Sequence, residues 1–153
     1  PASTVPVRGI LATVVALIKA SLADIKQGSY VGVAGLPQAD GSQKALEVHI
    51  FPESMRGVGD GHRGWDLQPS STMTNGNVET AAAASDGQSV TLKYKDGEQK
   101  ILVTPETEFF TFVPGSRADL KPGETIFTGA RNEGGKLITQ RISVSKDGVN
   151  PPQ

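Results

Sequence analysis

Apolar and polar residues alternate in several short runs in the C-terminal half of the chain. Ser89–Tyr94 and Gln99–Val103 are two such runs, and residues 95–98, Lys-Asp-Gly-Glu, join them with a sequence typical of a hairpin turn. Val78–Ala82 and Phe109–Val113 add a strand on either side. This pattern, with 18 Gly and 10 Pro to punctuate it, predicts short strands and many turns rather than long helices.

A stretch of eight residues occurs twice in the chain. Residues 21–28 read Ser-Leu-Ala-Asp-Ile-Lys-Gln-Gly and residues 116–123 read Ser-Arg-Ala-Asp-Leu-Lys-Pro-Gly, with five of the eight positions identical. Ser at the start and Gly at the end predict a short helical turn in each copy. Each copy is followed by a strand, a Gly turn and a second alternating strand, which ends at Ile50 in the first copy and at Val144 in the second. The repeat indicates an internal duplication, in which each turn plugs one end of a small barrel.

The first copy lacks a piece that the second copy has. Val7–Val14 matches the first strand of the second copy, and Val15–Ala20 matches Phe110–Gly115, so nothing between Val14 and Val15 corresponds to the central hairpin. A barrel without this hairpin would expose open sheet edges. Two explanations stay open. The natural protein has a hairpin that this sequence lacks, or the hairpin was deleted and another module or a partner chain covers the edge.

The predicted fold is therefore all-β, with two tandem, small OB-like Greek-key barrels that each carry one short helical turn. The first module is expected at residues 1–50, with its central hairpin missing after Val14. A Gly/Pro-rich connector follows at residues 51–73, and the second, complete module spans residues 74–148. Residues 149–153 form a tail.

Charge and composition exclude several classes of function. The net charge is −1 and no basic block is present, so nucleic-acid binding has no electrostatic support. No apolar run reaches the roughly 18 to 20 residues that span a bilayer, so no membrane span is predicted. The chain has no cysteine, which excludes disulfides, thiolate metal sites and cysteine nucleophiles. The start of the sequence, Pro1–Pro6, is typical of a mature terminus after signal cleavage, so we expect a periplasmic or secreted protein.

The connector concentrates the rare residue types. It holds the only tryptophan, Trp65, both methionines, Met55 and Met73, and one of the two histidines, His62; His49 precedes it by two residues. The Gly-rich sequence has no period of 2 or 3.6, so it is interpreted as a loop. Long ordered loops in compact proteins are often functional.

Two interpretations of these residues are open. Imidazole and thioether groups, together with the carboxylates Glu53 and Asp60, could bind a metal ion, and copper suits a His/Met set in an oxidising compartment. Alternatively, Trp65 anchors the connector and packs with the methionines on the two modules, while His49 faces outward from its strand. No compact spacing such as His-x-x-x-His is present. A hydrolase is not favoured, because no Gly-x-Ser-x-Gly sequence occurs and no nucleophile–base pair can be named.

The connector and the repeat together resemble a family of exported bacterial proteins of unknown function, often mislabelled as metal ABC transporter permeases. The segments that carry the resemblance are Ala20–Lys26, Gly28–Ala34, Phe51–Gly57, Gly61–Arg63 and Trp65–Leu67. The resemblance implies tandem OB-type barrels behind a signal peptide, a periplasmic or extracellular location and no established activity. Members look continuous through the central hairpin of the first module, which favours a hairpin missing from this sequence.

These observations lead to one expected function and two alternatives. The expected protein is a non-catalytic, exported binding or structural accessory of the bacterial envelope or the extracellular space. The first alternative is a periplasmic, copper-type metal-binding protein that uses His49, His62, Met55 and Met73. The second is a subunit of an extracellular or envelope assembly, in which the incomplete barrel pairs with another protein or with a second copy.

Overall fold

The computed structural model describes residues 12–84 and 87–149. In this part of the chain, twelve strands and three 3-10 helices form the fold. The strands are β1 (Thr13–Lys19), β2 (Tyr30–Pro37), β3 (Gln43–Ile50), β4 (Gly61–Gly64), β5 (Thr72–Ala84), β6 (Gly87–Tyr94), β7 (Gly97–Val103), β8 (Glu108–Pro114), β9 (Ile126–Phe127), β10 (Ala130–Glu133), β11 (Lys136–Thr139) and β12 (Arg141–Ser145). The 3-10 helices are η1 (Leu22–Asp24), η2 (Glu53–Met55) and η3 (Arg117–Asp119). The predicted all-β class is confirmed.

Five strands close into a barrel. The meander β5–β6–β7 is antiparallel throughout, and β2 pairs with both β5 and β3. The ring closes where β3 runs parallel to β7, with Gln43 opposite Ile101 and Lys44 opposite Leu102. A three-stranded meander closed by a hairpin in this way is an OB-like arrangement, but the hairpin β2–β3 comes before the meander in the chain.

The core of the barrel consists of the inward residues of these alternating strands. Val90 and Leu92 of β6 and Ile101 and Val103 of β7 are buried in it, as the period-2 pattern predicts. The buried members contributed by the other barrel strands are Val31, Val33, Ala45, Val48 and Val78. Leu22 and Ile25, at the two ends of η1, pack against this core, so the helical turn covers one end of the barrel.

The helical turns form where the repeated sequence predicts them, but they are shorter than expected. In η1 the backbone N–H of Ser21 donates to Asp24 Oδ2 at 2.8 Å, and in η3 Ser116 donates to Asp119 Oδ2 at 2.7 Å. Each helix has only three residues and ends before the predicted glycine stop. Gly28, with a φ of +83°, instead makes the turn into β2.

The barrel differs from the predicted tandem arrangement because it takes strands from both predicted modules. The hairpin β2–β3 lies in residues 1–50, whereas β5, β6 and β7 come from residues 72–103. The valines of β2 are buried only if other strands pack across from them. The hairpin β6–β7 supplies the side chains that cover them. At the position of the predicted gap, Val14 and Val15 lie inside the uninterrupted strand β1. The rest of the predicted first strand, residues 7–11, lies outside the described residues.

The sheet continues beyond the barrel through the second half of β3. There β3 runs parallel to β8, β8 is antiparallel to β1, β1 runs parallel to β12, and β12 pairs with β9. Val14, Ala16 and Val144 form a second, smaller core on one side of this extension, and Leu120 after η3 packs on it. The hairpin β10–β11 forms a separate two-stranded sheet.

The connector is only partly a loop, so that part of the interpretation was wrong. Residues 53–55 form η2, residues 61–64 form β4, and β5 begins at Thr72. The second half of β5 pairs with β6, which leaves one side of residues 72–75 for β4. This unfilled edge explains why a Gly-rich segment without alternation becomes a strand. In residues 12–84 and 87–149, none of the helices has the length and hydropathy to cross a membrane.

Candidate functional site

A cavity of about 1210 Å³ lies over one face of the extended sheet. Its floor consists of side chains that share one face because their strands pair in register. Thr13 lies opposite Arg141, Val15 opposite Ser143, and Leu17 opposite Phe112. We call the six residues Thr13, Val15, Leu17, Phe112, Arg141 and Ser143 the cavity floor; all of them line the cavity. The floor is polar at the Thr13 end of β1 and apolar at the Leu17 end.

The connector and β5 build one wall of the cavity. In the antiparallel pair β4–β5, Arg63 lies opposite Met73 and Gly61 opposite Asn75, so these residues share a face. Arg63, Met73 and Asn75 line the cavity. His62 lies opposite Thr74 on the other face, which explains why His62 does not line it.

Aromatic rings cover the apolar end. Phe51 stacks on Phe112 with ring centroids 5.2 Å apart and planes 15° apart. His49 meets Phe112 edge-on at 6.1 Å, and Tyr30 contacts Phe51 at 5.6 Å. This cluster fixes the floor residue Phe112 against the barrel.

One carbonyl group of the loop between η2 and β4 accepts two hydrogen bonds from the barrel. Val58 O accepts hydrogen bonds from Tyr30 Oη and from Asn75 Nδ2, both at 3.0 Å. Burial of the Tyr30 ring, aided by the negative charge of Asp60, raises the pKa of its hydroxyl from 10.0 to about 12. The neutral hydroxyl therefore stays in place as a donor over the physiological pH range.

The charge around the cavity is positive. Four arginines line it, Arg63, Arg117, Arg131 and Arg141, and no aspartate or glutamate does so among the described residues. Arg131 is paired with Glu133 at 2.5 Å, and Arg63 donates to Gly59 O at 2.8 Å while lying 5.7 Å from the Trp65 ring. Of these four arginines, only Arg131 is paired with a carboxylate in the described residues.

Two lining residues carry a buried polar atom with no hydrogen-bond partner in the described structure, Trp65 Nε1 and Asn75 Oδ1. Leaving such an atom unpaired costs about 1–3 kcal/mol. Asn75 Oδ1 can lie this close to β2 because Gly32 has no side chain: a Cβ there would be 2.7 Å from Asn75 Oδ1 and 3.0 Å from Phe51 Cε2.

Three of the four predicted metal ligands line the same cavity: His49, Met55 and Met73. His49 does not face outward as one interpretation expected. Its residue exposure is 5%, because the rings of Phe110 and Phe112 pack against it, and its Nε2 lies 3.2 Å from Glu47 Oε2.

The structure does not bring the remaining candidates to these three. His62 is exposed, its Nδ1 lies 2.7 Å from Thr74 Oγ1, and its ring stacks on Tyr94. Glu53 is bound by Arg56 at 2.6 Å, and Asp60 accepts a hydrogen bond from Lys95 N at 2.8 Å. Within the described ranges, no group of three or more His, Cys, Asp and Glu residues is arranged to hold a metal ion.

Trp65, the predicted connector anchor, lies at the cavity and not between two barrels. Its backbone N–H donates to Ser71 O at 2.8 Å, and its ring contacts Phe127 of β9 at 6.4 Å. It therefore joins the connector to the strand that precedes the β10–β11 hairpin.

Sequence reasoning missed Arg117 and Arg141. They are 24 positions apart, and each reaches the cavity only because β1 pairs with β12 and because η3 begins beside β1. No local motif marks such a pair. No protein-family model, curated protein or solved structure matches the chain. The resemblance to the exported bacterial family therefore stays an expectation.

Proposed function

We propose that this chain is a non-catalytic binding protein that holds a small organic molecule in the cavity, and that it acts outside the cytoplasm. The observation that carries the proposal is the large cavity bounded by stacked aromatic rings, two methionines and a few polar groups. Ligand sites in proteins are typically concave, mostly apolar and about 300–1,000 Å³ in volume, with a small number of polar groups that orient the ligand.

The walls of this cavity are held in place rather than free to collapse. The Val58 carbonyl accepts from both Tyr30 and Asn75, and Phe112 is stacked against Phe51. A cavity whose walls are fixed by buried contacts loses less entropy when a ligand binds. Met55 and Met73 give part of the wall an adaptable, polarisable surface, which suits varied apolar ligands.

The experiment uses Trp65, because it is the only tryptophan of the chain and lines the cavity. Titration with the neutral dye Nile red should change the Trp65 emission and saturate at one dye per chain. Gly129→Phe should weaken this binding, because Gly129 lines the cavity with open space around its Cβ position. Gly64→Phe is the matched control, since Gly64 also has open space but does not line the cavity.

Absence of saturable binding, or equal loss in both variants, would count against the proposal. Native mass spectrometry of the protein purified from an envelope fraction complements the dye, because a retained small molecule adds a defined mass.

A metal-binding role is a second candidate, supported by the presence of His49, Met55 and Met73 in the lining of the same cavity. An imidazole with two thioethers suits Cu(I). Competition against a Cu(I) chelator tests this role. His49→Gln and Met73→Leu should each weaken copper binding, whereas His62→Gln should not; no titratable copper would remove the candidate.

A role in an assembly is supported by the exposed apolar residues of β9 and the β10–β11 hairpin, namely Ile126, Phe127, Leu137 and Ile138. Contiguous exposed apolar groups often mark contact sites between proteins. Light scattering after size exclusion at several concentrations tests it. Self-association that Leu137→Lys abolishes would support the role, and a monomer at every concentration would count against self-association.

A further inference from the structure

We infer that the molecule held in the cavity is an amphipathic organic anion, with its charged head bound by Arg117 and Arg141 and its apolar part lying on Phe51 and Phe112. The inference rests on the proposed binding function and adds the chemical class of the ligand. It is drawn from the positions of charge and of apolar side chains along the cavity floor.

The two arginines lie at one end of the floor. Arg141 is directly opposite Thr13, at the start of β1. Gly115 N donates to Val14 O at 2.9 Å, which brings the chain leading into η3, and with it Arg117, to the same end of β1. Backbone pairing thus brings the backbone of both arginines to this end of the floor.

The apolar surface lies further along the same strand. Leu17 and Phe112 face each other four residues after Thr13, which is about 13 Å away at 3.3 Å per residue. Phe51, Met55 and Met73 line the cavity as well, and Phe51 stacks on Phe112. A ligand that follows the floor therefore meets cationic groups at one end and aromatic and thioether groups at the other.

Arg117 and Arg141 differ from the other two arginines of the cavity. In the described part of the chain, neither of their guanidinium groups has a hydrogen-bond or ion-pair partner, whereas Arg131 is paired with Glu133 and Arg63 is bound by Gly59 O. A guanidinium group offers a planar fork of donors that matches a carboxylate or a phosphate. The pair can therefore bind one anionic head with charge-assisted hydrogen bonds.

The positive cavity is a local feature, because the whole chain has a net charge of −1. Cationic groups around a low-dielectric cleft attract anions toward it and concentrate the field there. A cationic amphiphile would have to place its positive group beside these arginines, where like charges repel, so it should bind more weakly than the anions.

The test compares four amphiphiles of equal chain length on the full chain, each below its micelle concentration. The probes are dodecanoate, dodecyl phosphate, dodecanol and dodecyltrimethylammonium, and Trp65 emission and calorimetry report binding. Each charge-assisted hydrogen bond contributes about 1.5–3 kcal/mol, so one of the two anions should bind at least about tenfold more tightly than dodecanol. The preferred anion distinguishes a carboxylate head from a phosphate head.

Arg117→Gln and Arg141→Gln should each weaken anion binding by about tenfold or more and leave dodecanol binding unchanged. Lys100→Gln is the control, because it removes the same unit of positive charge from an exposed residue that does not line the cavity. Arg141→Lys retains the positive charge but loses the planar fork of donors, so its affinity for the anions should lie between those of the wild type and Arg141→Gln. Circular dichroism verifies that each variant is folded.

The outcomes separate the inference from the proposal that it rests on. If dodecanol binds as tightly as both anions, or if the arginine variants bind anions like the wild type, the anion inference is overturned while the binding function stands. If none of the four amphiphiles and no dye binds, both fall.

Discussion

Leu17 of β1 lies directly opposite Phe112 of β8, and the pairing pattern of the sheet repeats itself about this pair. On one side Val48 of β3 pairs with Phe109 of β8; on the other, Ile142 of β12 pairs with Val14 of β1. These are equivalent positions in the repeated sequence. The two halves of the chain therefore exchange strands across a common centre, although an origin by duplication stays a prediction.

Leu17→Ala should destabilise the protein strongly. Leu17 is 0% exposed and packs with Phe110 and Val149, so the truncation leaves a cavity where the two halves meet and costs about 2–5 kcal/mol of unfolding free energy. Urea unfolding measures this change. Leu137→Ala is the control, since Leu137 is 62% exposed, and it should change the free energy by less than about 0.5 kcal/mol.

The double variant of Leu17→Ala and Phe112→Ala tests whether these two opposed residues stabilise each other. Because the two residues face each other, their effects should not add, and the coupling energy should be about 0.5–3 kcal/mol. Additive losses of unfolding free energy would mean that the two side chains do not stabilise each other.

Gly32→Ala should destabilise the cavity wall. The new Cβ would lie 2.7 Å from Asn75 Oδ1 and 3.0 Å from Phe51 Cε2, so at least one of them must move, at a cost of about 1–3 kcal/mol. Gly64→Ala is the matched control, because nothing lies within 4 Å of its Cβ position. Urea midpoints that agree for the two variants would contradict the tight packing of Asn75 against β2.

The protein should lose stability in alkaline solution as Tyr30 ionises. Its pKa is raised from 10.0 to about 12 by burial, so the folded state holds the proton more tightly than the unfolded state does. The contribution of Tyr30 is fully present below pH 10 and is lost as the pH rises toward about 12. In Tyr30→Phe, the free energy of unfolding should depend less on pH between 10 and about 12.

A spectroscopic version of the same test uses Tyr94→Phe, which leaves Tyr30 as the only tyrosine of the chain. Tyrosinate absorbance should then develop near pH 12 and coincide with loss of the folded state. Ionisation at the ordinary value of 10.0 without unfolding would show that the hydroxyl is not held by Val58 O.

Asp119→Ala should weaken anion binding, because Asp119 orders the turn that carries Arg117. Ser116 N donates to its carboxylate at 2.7 Å, and this hydrogen bond lowers the pKa of Asp119. The stabilisation is present at neutral pH and is lost as the pH falls through the lowered pKa. We expect several-fold weaker binding of dodecanoate, because the turn that positions Arg117 loses the contact between Ser116 and Asp119.

Asp24→Ala is the matched control, because Asp24 makes the equivalent contact with Ser21 in η1, beside the barrel core. It should lower stability but leave the preference for anions unchanged. Equal loss of dodecanoate affinity in the two variants would argue that the effect is general and does not act through Arg117.

Local signals in the sequence predicted much of the fold. The alternation of apolar and polar residues in β6 and β7, with the turn at Lys95–Glu98, predicted the β6–β7 hairpin. The repeated Ser and Asp predicted η1 and η3. The membership of the barrel could not be read from these signals. It depends on the parallel pairing of β3 with β7, which joins residues nearly 60 positions apart. The sequence of either strand alone has no pattern that predicts this pairing.

The candidate site was predicted in part for a similar reason. The rare residues Met55, Met73 and Trp65 do meet at one cavity. His62 was expected with them because it is close in sequence, but strand alternation in β4 turns it to the opposite face from Arg63. Arg117 and Arg141 could not have been selected, because their common position follows from pairing with β1.

The strand β3 has two sets of neighbours along its length. Its first residues close the ring with β7, and residues 47–50 carry the sheet onward to β8. The ring and the extension therefore cannot separate without breaking the same strand, so heating should melt them together in one transition. The surface beneath a bound molecule thus keeps its shape only while the barrel stays folded.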